Sequence, residues 1–194
     1  MQPPKRDTYH HGDAKNVLLL TAAQQLEEVG AHGLSLRAIA AQAGLSHQAP
    51  YNHFSNKEAL LAELVKRGFN QLENAIRSVA GYPDDALVLE RAGAAYINYA
   101  QSSPALFHVM FSRELVDIRL FPEAATAADA AFYSLVEIIA SFAPASSVDD
   151  LALAAWCLVH GYATLCIELG LEEQTETMHR ASLFAALIKQ KVLD

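Results

Sequence analysis

Apolar residues recur every three or four positions along nearly the whole chain, and no stretch alternates apolar and polar residues as a half-buried strand would. A 194-residue sequence patterned in this way is expected to be all-α. Leu18, Ala22, Leu26 and Val29 share one face of a first helix that Gly30 and Gly33 close. Ser35 stands where an N-cap belongs, ahead of a short second helix carrying Leu36, Ile39, Ala40 and Ala43 and ending at Gly44. A third short segment covers about 46–54. Ser55-Asn56-Lys57-Glu58 then has capping-box form with Ser55 as the cap. It opens a long fourth helix whose face of Leu61, Leu64, Val65, Leu72, Ile76 and Val79 persists to Gly81-Tyr82-Pro83. The spacing predicts further helices over about 84–102, 104–112, 122–142, 148–170 and 176–192, about nine in all. Ser103-Pro104, Phe121-Pro122, Ala143-Pro144 and Gly170 separate them.

With 52% hydrophobic and 19% charged residues, the chain is too apolar for disorder and too often interrupted by charge for a multispan membrane protein. Its two cysteines, Cys157 and Cys166, build neither a disulfide framework nor a four-cysteine zinc site, which suits the reducing cytoplasm. Val17–Ala23 follows Lys5 and Arg6 like a leader, but Asp7 and Asp13 spoil the basic region and Gln24, Gln25, Glu27 and Glu28 follow at once. Leu151–Leu171 is long enough to span a bilayer, yet it carries His160, Gly161, Thr164 and Glu168 after Asp149 and Asp150. Burial in a large interface is the better expectation, and no membrane partner is expected.

The net charge of −8 argues against a polyanionic partner until it is divided along the chain. In residues 1–60, Lys5, Arg6, Lys15, Arg37 and Lys57 balance Asp7, Asp13, Glu27, Glu28 and Glu58, so the whole excess lies in 61–194. Five of the eight histidines also fall in the first sixty residues. A polyanion would meet this near-neutral third, and the division suggests one domain over 1–60 and another over 61–194.

Residues 35–54 read as two short helices joined by the turn Gly44-Leu45-Ser46, a helix-turn-helix. Pro50 and Phe54, four apart, supply a buried stripe on the second helix, while His47, Gln48, Tyr51 and Asn52 point outward. Gln and Asn suit the donor and acceptor edge of adenine in the major groove. Tyr51, His53, Lys57 and Arg37 suit phosphates, as do the backbone N–H groups at Ser35 and Leu36. Pro50 lacks an N–H, however, and forfeits the bond back to Ser46, so this helix is expected to start late or bend.

Leu36-Arg37-Ala38-Ile39-Ala40, Ala43-Gly44-Leu45-Ser46 and Tyr51-Asn52-His53-Phe54-Ser55-Asn56-Lys57-Glu58-Ala59-Leu60-Leu61 together resemble the DNA-binding signature of TetR-family transcriptional regulators. The resemblance covers about 14–61. It implies a three-helix reading head, a fourth helix linking it to a ligand-binding body, and a last pair of helices that dimerise across a two-fold axis. By position, Ser35, Tyr51, His53 and Lys57 would grip phosphates, and His47, Gln48, Ala49 and Asn52 would face bases. Trp156, His160 and Gly161 resemble the Trp…His-Gly pattern of one variety of TetR-family body. The family usually places a small residue, a hydroxyl and an aliphatic residue where this chain has Gln48, Ala49 and Pro50.

The implied function is a cytoplasmic, homodimeric repressor that binds a palindromic DNA operator and is released by a small apolar or amphipathic effector. Phe107, Met110, Phe111, Phe132, Tyr133 and Trp156 are either plain core or the walls of an effector pocket. His160 is either a core histidine with one satisfied nitrogen or a polar group in that pocket. The expected dimer interface joins Leu151, Ala155, Leu158, Tyr162 and Leu165 to Met178, Ala181, Ala185, Ile188 and Val192. Lys5, Arg6 and Tyr9-His10-His11 form either a minor-groove arm or a solvated terminus.

Other classes find less support. His10-His11 has no partner at helical spacing, and Cys166, nine residues from Cys157, lies ~180° round the helix from it and faces away from the Cys157–His160 pair, so no metal is expected. Nucleophile-elbow, phosphate-loop, dinucleotide and His-Glu-x-x-His motifs are missing, so neither a cofactor nor an enzymatic activity is expected. A helical interaction module that uses the helix-turn-helix only for packing is the main alternative, with a small-molecule-converting enzyme behind it.

Overall fold

The computed structural model describes residues 11–79, 87–171 and 174–193. They form eight α-helices: α1 His11–Gly33, α2 Leu36–Gln42, α3 Lys57–Val79, α4 Val88–Ser102, α5 Pro104–Phe111, α6 Pro122–Ala140, α7 Val148–Leu169 and α8 Gln174–Leu193. Lys5, Arg6, Tyr9 and His10, the break at Gly81-Tyr82-Pro83 and the expected helix start at 84 lie outside the described residues.

Leu18, Leu19, Ala22 and Leu26 of α1 meet Ile39, Ala40, Phe54 and Leu60 in a fully buried head core. Each large apolar side chain there contributes roughly 1.5–3 kcal/mol. Val29 departs from the expected stripe and is 55% exposed. Gly30, with φ 68° and ψ 172°, breaks the helical path of α1 at a kink, as expected of a glycine there, and beyond it Ala31 and Leu34 enter the core. Helix α2 closes with a paired turn: Gly44 N–H donates to Ala41 C=O at 3.1 Å and Leu45 N–H to Ala40 C=O at 2.9 Å. Gly44 supplies the positive φ of 68° that this turn requires. Ser35 makes no side-chain capping bond, contrary to expectation.

The third of the nine expected helices is a single 3₁₀ turn over Ala49–Asn52. Its bonds run three residues back, from Ala49 N–H to Ser46 C=O at 2.9 Å and from Tyr51 N–H to Gln48 C=O at 3.1 Å. The missing N–H of Pro50 leaves the α-helical ladder without a starting rung, so the tighter pattern prevails. One residue also shifts at the next helix start. Asn56, not Ser55, caps α3, its Oδ1 accepting Ala59 N–H at 2.8 Å.

Helix α3 joins head to body, and a boundary at residue 60 falls in its first turn. It packs against α4, α5 and α6, while α4 also packs on α7 and α8. Lys15 of α1 pairs with Glu63 of α3 at 3.2 Å, and Lys66 of α3 with Glu123 of α6 at 2.7 Å. Among the described residues, one helical stretch, Ala145–Leu169, is long and apolar enough to cross a membrane; here it packs on α4, α6 and α8.

Candidate nucleic-acid interface and effector groove

The 3₁₀ turn is pinned to the head by Pro50 and Phe54, both buried. That anchoring leaves Ser46, His47, Gln48, Tyr51 and Asn52 exposed together on its outer side, with Ala49 and His53 half-buried. The His53 ring lies beside Phe54, with centroids 6.2 Å apart. Ser35 and Arg37 are exposed at the N-terminus of α2, where the first N–H groups have no helical partner. The Leu36 side chain is buried, so only its backbone faces that end. Lys57 is half-buried and its Nζ donates to the His32 carbonyl at 3.1 Å, which staples the start of α3 to the end of α1. Two ammonium hydrogens remain for a phosphate.

In the body, Phe107, Phe111, Phe132, Trp156 and His160 share an aromatic cluster with Tyr96. Ring centroids are 5.8 Å apart for Tyr96–Phe107, 5.1 Å for Tyr96–Trp156, 5.6 Å for Phe132–Trp156 and 4.4 Å for Phe111–His160. The Tyr96 hydroxyl lies 2.9 Å from Nδ1 of His160. Burial pushes the Tyr96 phenol far up and lowers His160, so both are held neutral near neutral pH. Met110 is buried against α3, and Tyr133 points away at 59% exposure.

Two spaces border this cluster. An apolar cavity of about 20 Å³, lined by Tyr96, Trp156, Ala155, Val159, Ala181 and Ile188 among others, has room for little more than one water. An open groove of about 270 Å³ runs between α5 and α7, lined by Pro104, Phe107, His108, Phe111, Ser112, His160, Thr164, Ile167 and Glu168. Phe107, Phe111 and His160 therefore face the groove, and Trp156 faces the cavity; Met110, Phe132 and Tyr133 line neither. Sequence reasoning missed Tyr96, whose link to His160 spans 64 residues and leaves no local spacing to detect.

The residues expected at a dimer interface divide. Leu151, Ala155, Ala181, Ala185 and Ile188 are buried inside the chain itself, because the cavity-facing sides of α7 and α8 close the body. Leu158, Tyr162 and Val192 are half-buried, and Leu165 and Met178 are exposed. The outward apolar surface also includes Leu169 at 66% exposure, Leu183 and Leu187. Gly161 sits exposed on it, and a Cβ built there would meet none of the described residues within 4 Å beyond its chain neighbours and its own helix's backbone.

Residues 18–64 match the family model of bacterial regulatory proteins of the tetR family, and residues 89–190 match that of the tetracyclin repressor-like C-terminal domain. The HTH-type transcriptional regulator YobS of Bacillus subtilis is 28% identical over 97 residues, half of this chain and half of that protein. This chain thus matches only about half the length of that curated relative. A protein of unknown function from Rhodococcus sp. RHA1 is 25% identical with a TM-score of 0.80, covering 97% of this chain and 100% of its own. The transcriptional regulator FadR of Bacillus subtilis, in complex with stearoyl-CoA, shares the fold at 16% identity and a TM-score of 0.70, covering 89% of this chain and 96% of its own. With both domain models matched in order across head and body, this chain belongs to the TetR family of DNA-binding transcriptional regulators.

Proposed function

We propose that the protein is a cytoplasmic homodimeric repressor, a regulator rather than an enzyme, that occupies a palindromic operator and leaves it when a small effector enters the body. The observation that carries this reading is a direct bond between head and effector wall. Glu27 of α1 accepts the backbone N–H groups of Ala105 and Leu106 at the start of α5, each at 3.0 Å. The same α5 supplies Pro104, Phe107 and Phe111 to the groove. A ligand that displaces α5 must therefore move α1 or break its cap.

The head, residues 1–60, reads DNA with His47, Gln48, Ala49 and Asn52 toward base edges, and Ser35, Arg37, Tyr51, His53 and Lys57 toward phosphates, helped by the Leu36 N–H. The body, 61–194, pairs through the exposed faces of α7 and α8 and sets the heads one helical turn of DNA, ~34 Å, or a multiple of it apart. Gly161 supports that pairing, since a mid-helix glycine costs ~1 kcal/mol against alanine and no contact among the described residues requires it. An effector that favours one head spacing by ~1–3 kcal/mol changes operator affinity by roughly 5- to 150-fold.

The test selects duplexes from random DNA with the full-length protein, then screens metabolites for release of the best one by fluorescence anisotropy. Two-fold symmetric sequences bound by a dimer and released by a metabolite support the reading. A monomer, or binding to no duplex at low salt, overturns it.

A further inference from the structure

We propose that the groove between α5 and α7 takes an uncharged, one-ring aromatic compound bearing a hydrogen-bond acceptor, and that Nε2–H of His160 is the donor that recognises it. This assignment rests on the effector reading above and adds the ligand's chemistry to it.

Tyr96 fixes the donor. Its hydroxyl is buried and has one hydrogen to place, and Nδ1 of His160, at 2.9 Å, is the acceptor that the structure offers. With the Nδ1 lone pair engaged and the ring held neutral by burial, the imidazole proton resides on Nε2. His160 also lines the groove, so its remaining nitrogen is the one available there. The neighbours define the rest of the ligand. Phe111 and Phe107 stand 4.4 and 5.4 Å from the imidazole, centroid to centroid, and with Ile167 they form apolar walls suited to a flat ring.

Volume and charge narrow the class. At about 270 Å³ the groove is just below the ~300–1,000 Å³ of small-molecule sites, which suits one ring and not a long acyl chain. Glu168 at the edge opposes a carboxylate, and a neutral imidazole offers it no countercharge. A protonated amine brings only donors to Nε2–H, whereas a ketone, ester or amide oxygen brings the missing acceptor.

The experiment uses the full-length protein and three probes of similar shape: acetophenone, α-methylstyrene, in which CH₂ replaces the carbonyl oxygen, and benzoate. Calorimetric titration gives the preference for acetophenone over α-methylstyrene. That preference is expected to fall roughly 3- to 10-fold in His160→Leu and to persist in His160→Gln, whose amide N–H replaces Nε2–H. Long-range ¹⁵N–¹H correlation of the unmutated protein reads the tautomer directly, so the proposal stays testable even if His160→Leu does not fold. A proton on Nδ1, an unchanged preference in His160→Leu, benzoate binding as tightly as acetophenone, or no acetophenone binding at millimolar concentration would each overturn it. Acetophenone bound as described without any effect on operator binding leaves this assignment intact and defeats the effector reading. A metabolite that releases operator equally from wild type and His160→Leu does the reverse.

Discussion

The Glu27 carboxylate accepts the backbone N–H of Leu106 at 3.0 Å, capping α5 from a different helix. Its other oxygen takes Ala105 N–H, also at 3.0 Å. Pro104 occupies the first position of α5 and has no N–H, and Ser103 makes no side-chain cap, so Glu27 satisfies the next two donors of the turn. The joint thus combines a hydrogen-bonded cap with a negative charge at a helix N-terminus.

Removing this joint is expected to separate sensing from reading. Glu27→Ala should lower unfolding free energy by ~0.5–2 kcal/mol, and Glu27→Gln, which keeps an oxygen but loses the charge, by ~0.3–1 kcal/mol. Urea titration measures both. Effector-driven release in an anisotropy assay should weaken in the same order, while operator affinity without effector changes little. Full release from Glu27→Ala would remove α5 from the signalling route.

Gly68 marks a second close approach, between α3 and α5. A Cβ there would lie 2.6 Å from Sδ of Met110 and 3.1 Å from the Tyr99 hydroxyl, which itself donates to that sulfur at 3.4 Å. Alanine in a helix interior gains ~1 kcal/mol over glycine, but overpacking costs ~1–3 kcal/mol. Gly68→Ala is therefore expected to destabilise the protein when Met110 is present. In a Met110→Ala background the same change should stabilise it. A thermal-denaturation double-mutant cycle reads this reversal of sign; additive effects would contradict it.

Helical periodicity was enough to locate the long elements, because a proline at the first helical position marks the starts of both α5 and α6. It did not resolve α3's cap, since Ser55 and Asn56 are both capping types and only packing decides between neighbours. Pro50 carried a legible warning, but one missing N–H does not say whether a helix bends, starts late or collapses to a 3₁₀ turn. Helix α7 is apolar nearly all round, so its pattern could not tell the side that closes the body, with Leu151 and Ala155, from the side left outward, with Leu165 and Leu169. Glu27 and Tyr96 act on partners 64 to 79 residues away, and such pairs exist only once the chain has folded.

Gly161 gives the dimer a test whose two readouts move differently. Among the described residues nothing lies within 4 Å of a Cβ there and Gly161 is exposed, so Gly161→Leu should leave α7 at least as helical as before. A neighbouring protomer packed on the same face would be pushed off. Circular dichroism is expected to show retained helix, and sedimentation velocity a monomer at concentrations where the wild type is dimeric. A dimer that survives Gly161→Leu places the interface elsewhere.

On DNA, the outward side chains of the 3₁₀ turn should separate by role. Tyr51→Ala is expected to weaken binding to specific and random duplexes alike. Gln48→Ala should instead relax the preference at one base position by ~1–3 kcal/mol. Lys57→Ala should reduce the salt slope by about 1 and also lower stability, because Lys57 holds the His32 carbonyl as well. Equal losses on specific and random DNA for Gln48→Ala would remove it from base reading.

Stability should fall with acid in two separable stages. His160 has its pKa lowered by burial, so its contribution is complete above the ordinary histidine value, ~6.5, and is lost as pH falls through the lower folded value. Protonation there places charge against Phe107 and Phe111 and takes the Nδ1 lone pair from Tyr96. Glu63 acts further down. Burial alone would raise its pKa, but hydrogen bonds from Lys66 and Lys15 hold the carboxyl below the usual range. Its contribution is therefore present above ~4.3 and disappears as the folded carboxylate is protonated, loosening the Lys15 link between α1 and α3. Scanning calorimetry from neutral pH downward should show an early decline in Tm that His160→Gln abolishes and a later one that Glu63→Gln abolishes. An early decline that persists in His160→Gln would assign the upper stage to another group.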